Sequence, residues 1–403
     1  MPVADGDLPS DFARPSGCAK LARMPHPGYD AVLLVTGFPS LYARKMVRHI
    51  LAEEPRALVY AVVTAADADA AEAEHESLSR AERERLVLVA GDASAMDLGL
   101  SGAEFRQLTR EVERIHHLWH VSGGALDRKT ARLVNVVGAG EILEFARAAS
   151  AIECLVFHST AHVSGDRTGV VYEDDLASGQ AFRSEVEETR MQAETLARRA
   201  MATVPIAVVR PTTIVGDFDP EEDERLDGLY LLALFIVATP AEIAIPFPGK
   251  GDMPLNIVPI DFVVRASHAI GRLVARGAVP GRTFHLADPH PLSARRVAEI
   301  VARASGKRTA RSHIPSNLAK ALLRTPGIER FVRSPRAFVE QLSTAVRYDT
   351  RNADQLLRGG GIACPPFETY AGDLVAAVQT HLKTRQRRRE PTESEAEVDD
   401  PLS

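Results

Sequence analysis

Two stretches of the chain carry groups whose types and spacing suit chemistry. Thr36-Gly37-Phe38-Pro39-Ser40-Leu41-Tyr42-Ala43 leaves an aliphatic run and enters a helical pattern. Backbone N–H groups at such a strand-to-helix junction carry the positive end of the helix dipole, which suits a dinucleotide pyrophosphate. His158-Ser159-Thr160-Ala161-His162 closes a second apolar run with two hydroxyls and two imidazoles. Imidazole is a competent acid near neutral pH, so His162 is a candidate proton donor, with His120 and His158 nearby in the order of strands. The plainer reading is that these are polar residues at strand ends in a cleft. Tyr172 lies on the following loop, and Glu187 and Glu188 read as a solvated helix face.

The elements that must position these groups alternate. Strands are predicted at Ala31–Val35, Ala57–Val63, Leu86–Val89, His116–Val121, Cys154–Phe157 and Ile206–Val209. Between them the patterns predict helices at Leu41–Leu51, Ala68–Arg85, Gly102–Arg110, Thr130–Ala149 and Arg183–Met201. Strand–helix alternation with wholly apolar strands predicts an α/β, Rossmann-type doubly wound parallel sheet with helices on both faces. After Pro211 come longer loops, an apolar helix at Leu229–Ala238 and helical segments near 292–305 and 367–382. We expect a flexible extension over 1–28, a nucleotide-binding domain over 29–215, a smaller interleaved substrate lobe over 216–382, and a disordered charged tail over 383–403.

Composition narrows the function classes. The 403 residues are 45% apolar and 25% charged, which is enough for a full core. A net charge of −6 is no footprint for nucleic acid. Three cysteines (Cys18, Cys154, Cys364) without a CxxC point away from a disulfide framework or a zinc site and fit a reducing cytoplasm. No metal is expected. The apolar run Leu229–Ala238 has about half the length of a membrane span.

The motifs together resemble the extended short-chain dehydrogenase/reductases, in particular the thioester reductases and fatty-acyl reductases. TGFPSLYA stands in the register of that family's TGxxGxxG, with Ser40 and Ala43 replacing two glycines. GDASAMDLGLS from Gly91, Trp119-His120, NVVG from Asn135, RPTTIVGD over Arg210–Asp217, VPIDFV over Val258–Val263 and FHLADPHPLS over Phe284–Ser293 follow in family order. The resemblance implies NAD or NADP as cofactor, held weakly or not at all, because the Ser40 Cβ intrudes where a phosphate would lie. Its nucleotide contacts would fall on Thr36, Gly37, Ser40, Ala43, Thr64, Asp92, Asn135 and Arg210. Thr64 closes the second strand where NADP-dependent relatives have arginine. It offers neither that cation nor the carboxylate that holds a free ribose diol.

The resemblance also implies a catalytic Ser/Thr, which falls on Thr160, and a tyrosine–lysine pair four residues apart. Aligning the AExL tail of the helix at Ala193–Leu196 puts that pair on Val186 and Arg190. Valine has no proton to give, and arginine lacks the compact ammonium that organises ribose hydroxyls. None of the seven lysines has a tyrosine four residues before it. Three readings follow: a reductase-like scaffold with impaired chemistry, acting as a binding or regulatory module for a small-molecule, acyl or protein partner; an active NAD(P)-dependent reductase of an acyl thioester or other apolar carbonyl, using an unusual acid such as His162; or a lyase or isomerase that reuses the pocket. The segment Leu229–Ala238 is equally readable as an acyl-pocket wall and as ordinary core.

Overall fold

The structure is a computed structural model that describes residues 28–120, 127–216, 228–238, 245–248, 251–278, 281–307, 309–314 and 344–387. The expected extension over 1–27 and the tail beyond 387 lie outside the described residues. The chain divides into two compact units. The first holds the residues up to 214 together with 256–291 and 344–365; the second holds 215–255, 292–343 and the residues from 366 on. Residues 256–291 and 344–365, within the interleaved lobe expected over 216–382, belong to the first unit.

The first unit is built on seven parallel strands: β1 (Ala31–Thr36), β2 (Ala57–Val63), β3 (Leu86–Ala90), β4 (Arg114–His117), β5 (Cys154–His158), β6 (Ile206–Pro211) and β7 (Arg282–Leu286). Their order is β7-β6-β5-β4-β1-β2-β3. Every residue of β1, β2 and β5 is buried, which explains their unbroken apolar character, since both sheet faces are covered. Val32 and Leu34 pack on one face with Ile142 and Phe145 of the helix Gly138–Ala148 and Ala193 and Ala197 of the helix Glu185–Ala200. Leu33 and Val35 pack on the other with Met46 and Ile50 of α1 (Leu41–Glu53) and with Val264 of the helix Ile260–Ala275. Each fully buried Leu or Ile contributes about 1.5–3 kcal/mol.

Several predicted elements differ for identifiable reasons. The long helix over Ala68–Arg85 is broken after Glu76, because Ser79 and Glu82 form a capping box that starts a new turn at Arg80. The helix over Thr130–Ala149 contains a π-helical turn at Leu133–Val137. The fourth strand runs Arg114–His117, not His116–Val121. There the backbone N–H of Trp119 turns to the Thr36 hydroxyl instead of continuing the ladder. The helix Ile260–Ala275 and the strand β7 were not foreseen; VPIDFV, read only as a family signature, is the entry to that helix.

In the second unit, the helices Gly228–Ala238, Ala294–Ala304 and Ala371–Arg387 pack together. Leu229, Leu232, Ala233, Leu234 and Ile236 of the apolar segment are buried. Residues 383–387, expected in the charged tail, continue the last helix. Among the described residues, no helix is long and apolar enough to cross a membrane.

Candidate nucleotide and catalytic site

Register brings Thr36 beside Val62 and His117 at the C-terminal edge of the sheet, the edge where ligands of open α/β sheets bind. The Thr36 hydroxyl accepts from the Trp119 N–H at 3.2 Å and hydrogen-bonds His117 Nδ1 at 3.0 Å, tying β1 to β4. Gly37 has φ +85°, and a Cβ there would lie 2.9 Å from the Leu118 carbonyl carbon and oxygen. Only glycine makes this turn without strain. The Phe38–Pro39 peptide is cis. Ser40 is the exposed N-cap of α1, and its hydroxyl makes no capping bond. No acidic residue stands in the first turn, so the dipole and free N–H groups remain open to an anion. Ala43 is fully buried against the sheet. The turn therefore fits a pyrophosphate; of the two side chains that stand where relatives have glycine, Ala43 is buried against the sheet and Ser40 is exposed at the N-cap.

At the end of β2 the Thr64 hydroxyl donates to the Asp67 carboxylate at 2.6 Å. A carboxylate does stand beside this strand end, contrary to what position 64 alone implied; the 3-10 turn Ala65–Asp67 delivers it three residues later. Asp92 is half-buried, and its Oδ1 accepts from the N–H and hydroxyl of Ser94 at 2.8 and 2.6 Å. Asn135 sits buried in the π-helical turn and donates to the Thr189 hydroxyl at 3.0 Å. Such turns recur at functional sites. A Cβ on Gly138 would lie 3.2 Å from the Ala93 carbonyl and from the Trp119 ring, so a glycine lets this helix approach both.

Thr160 is half-buried, and its hydroxyl caps the short turn Ala161–Ser164 by accepting from the His162 N–H at 3.3 Å. The helix Glu185–Ala200, which carries Val186 and Arg190, packs against this turn. Positions four apart share a helix face. Val186 is half-buried, and Arg190 is 6% exposed. The Arg190 guanidinium donates to the His158 carbonyl at 2.8 Å, so it is pinned to the end of β5. Burial brings its pKa down to about 10, opposed by the nearby Glu194 carboxylate, and it stays cationic at neutral pH.

His162 is half-buried with Nε2 3.4 Å from the Thr213 hydroxyl. Desolvation pulls its pKa below the ordinary value, against the opposing pull of Glu187. At neutral pH the ring is uncharged, which makes it a poor proton donor. Arg210, expected at the cofactor, is 1% exposed and binds Glu194 at 2.7 Å, the Asp175 carbonyl at 2.8 Å and His285 at 3.2 Å. Glu194 also accepts from the Ser159 hydroxyl at 2.6 Å and from Arg198 at 2.8 Å. This network joins the catalytic-position helix to β5 and β6, and it occupies Arg210 in the interior. Tyr172 is an exposed loop residue under the Arg351 guanidinium. Glu187, expected on a solvated face, is half-buried and pairs with Arg183.

One constellation was missed in the sequence. The Tyr42 hydroxyl meets His158 Nδ1 at 2.9 Å and the Ser267 hydroxyl at 3.3 Å, and His158 Nε2 meets His116 Nδ1 at 3.1 Å. His116 Nε2 is buried without a partner among the described residues. Burial drives the pKa of His116 and His158 well down and that of Tyr42 up, so the group is neutral at pH 7. The available signal was a pair of histidines, 116 and 158, within otherwise apolar strands.

The profile of the family described as "Male sterility protein", an NAD-binding family, matches residues 35–267. The chain is 22% identical over 308 residues to "Probable fatty acyl-CoA reductase 4" of Arabidopsis thaliana; the alignment covers 59% of this chain and 62% of that protein. The chain thus spans about three fifths of that relative's length. Among solved structures, it is similar to the terminal R domain from the myxalamid PKS-NRPS biosynthetic pathway, with a TM-score of 0.70 and 22% identity over 96% of this chain and 97% of that one. It is also similar to the UDP-glucuronic acid 4-epimerase from Bacillus cereus in complex with NAD, with a TM-score of 0.62 and 16% identity over 88% and 99% of the two chains. With the β1–α1 turn, the Asn135 turn and the helix Glu185–Ala200 all inside the matched segment, this chain belongs to the male sterility NAD-binding family, a fatty acyl-CoA reductase-like branch of the extended short-chain dehydrogenase/reductases.

Proposed function

We propose that this protein binds a nicotinamide dinucleotide and an acyl-type ligand on a reductase scaffold but is strongly impaired in hydride transfer, and acts as a binding or regulatory module. The observation that carries this reading is the pair Val186 and Arg190. One side chain has no proton to give, and the other is pinned through one guanidinium N–H to the His158 carbonyl. When bound, the nicotinamide supplies or accepts the hydride; the protein must supply the proton and hold the ribose. Thr36, Gly37 and the first turn of α1 would hold the pyrophosphate, and Asp67 with Thr64 would face the adenosine ribose. A carboxylate there favours a free diol over a 2′-phosphate, so NAD is the expected form. Thr160 would hydrogen-bond a carbonyl oxygen, but a hydroxyl without an acid behind it does not complete the reduction. The depressed pKa of His162 weighs against the reading of an active enzyme with a histidine acid.

The test is restoration. Val186→Tyr with Arg190→Lys should create measurable oxidation of NADH or NADPH by a long-chain acyl-CoA in a protein that otherwise shows none. General-acid help is worth about two to four orders of magnitude. If the unmodified protein turns over and the double change abolishes turnover, the reading is wrong.

A further inference from the structure

The edge of the sheet opposite the dinucleotide turn holds a pocket of about 580 Å³, within the size range of small-ligand sites. It opens between the starts of β1 and β4 and the ends of α1 and the helix Ile260–Ala275. Its charged lining comprises four arginines and three carboxylates, a net positive balance. Arg114 is unusual for the first residue of a central strand, being only 4% exposed. Glu54 holds it through two hydrogen bonds at 2.8 and 2.5 Å and is itself bonded to His268 at 2.5 Å. This is a fixed arrangement, since a half-buried carboxylate pinned on two sides orients the guanidinium fork. Arg56 pairs with Asp30 on the exposed rim.

Arg272 and Arg276 differ from these two. They lie four residues apart at the end of their helix and line the same pocket, and neither makes an ion pair with a described residue. Cations at a helix C-terminus complement its dipole, which accounts for their presence there. It does not account for their convergence with the buried Arg114 on one concavity. A carboxylate satisfies one guanidinium fork, whereas the tetrahedral oxygens of a phosphate can bridge several.

We infer that this N-terminal-edge pocket is a second ligand site that takes a small molecule bearing a phosphate or pyrophosphate group, with Arg272 and Arg276 as its free cations and Arg114 as its fixed one. The site is separate from the dinucleotide turn and does not depend on the impaired-reductase reading.

The test uses inorganic pyrophosphate with the full chain. Phenylglyoxal labelling read by mass spectrometry, with and without pyrophosphate, should show protection at Arg272 and Arg276. Titration calorimetry on Arg272→Ala/Arg276→Ala should show pyrophosphate affinity weakened about tenfold or more, as expected for losing charge-assisted bonds. The exposed single change Arg276→Glu should weaken binding as well, and it disturbs no buried contact. Ser40→Asp, which places a negative charge at the dinucleotide turn and removes pyrophosphate bound there, should leave the protection of Arg272 and Arg276 unchanged. Absence of protection, binding unaffected by the arginine changes, protection lost in Ser40→Asp, or citrate competing as strongly as pyrophosphate would each overturn the assignment.

Discussion

The two edges of the central sheet handle charge in opposite ways. At the C-terminal edge, a cluster of titratable groups is neutral: the half-buried Tyr42 and the buried His116, His117 and His158 hydrogen-bond one another or strand-end hydroxyls. The fully buried ion pair there, Glu194 with Arg210, joins helix to strand. At the N-terminal edge, Glu54, Arg114, Arg272 and Arg276 stay charged around an open pocket. The difference teaches that a buried arginine at the C-terminal edge is taken up by packing: the Arg190 guanidinium is bonded to the end of β5, while arginines without an ion pair among the described residues stand at the other end of the sheet.

The largest effect expected from breaking this contrast is on stability. Glu194→Ala leaves Arg210 buried and unpaired and should cost about 3–5 kcal/mol in urea unfolding. Glu54→Ala should cost less, about 2 kcal/mol, because water from the pocket can reach Arg114. Equal costs would erase the distinction between a dry edge and a wet one. Gly37→Ala forces a strained φ and a backbone clash; it should lose about 1–3 kcal/mol and abolish dinucleotide binding by calorimetry.

Acid titration sharpens the same comparison. Burial depresses the pKa of His117 and His285 to about 3, so the folded state refuses protons that the unfolded chain takes up near pH 6.5. Stability should therefore fall as pH drops from about 6.5 towards 3, by about 1.4 kcal/mol per pH unit for each such histidine. His117→Asn should reduce that slope in melting experiments. Glu54 is also shifted down, but for a different reason: its carboxylate is held down by His268 and Arg114 despite burial. Its contribution is intact above the ordinary carboxylate pKa of about 4.3 and is lost only below it. The smallest effects concern the cofactor. Ser40→Gly should tighten NADH binding several-fold by removing a Cβ from the phosphate position, and Asp67→Asn should narrow the preference for NADH over NADPH, both by calorimetry.

The sheet was legible because β1, β2 and β5 are covered on both faces and read as unbroken apolar runs. The helix that carries Val186, Arg190, Ala193 and Glu194 was equally legible, since its spacing is helical throughout. What was illegible depends on contacts distant in sequence. Nothing near Glu54 announces Arg114, 60 residues away, or His268, 214 away. Asp67 was overlooked because position 64 was judged alone, before the turn that folds the carboxylate back. Arg210 was assigned to the cofactor from its motif, but its guanidinium is turned inward by Glu194, a partner that only the packed helix reveals.

The central claim is tested most directly by following NADH and NADPH absorbance with the unmodified protein and a saturating long-chain acyl-CoA, in a preparation whose dinucleotide binding has been confirmed by calorimetry. The account predicts binding without cofactor consumption above the enzyme-free rate. Sustained, protein-dependent consumption yielding aldehyde or alcohol would contradict it.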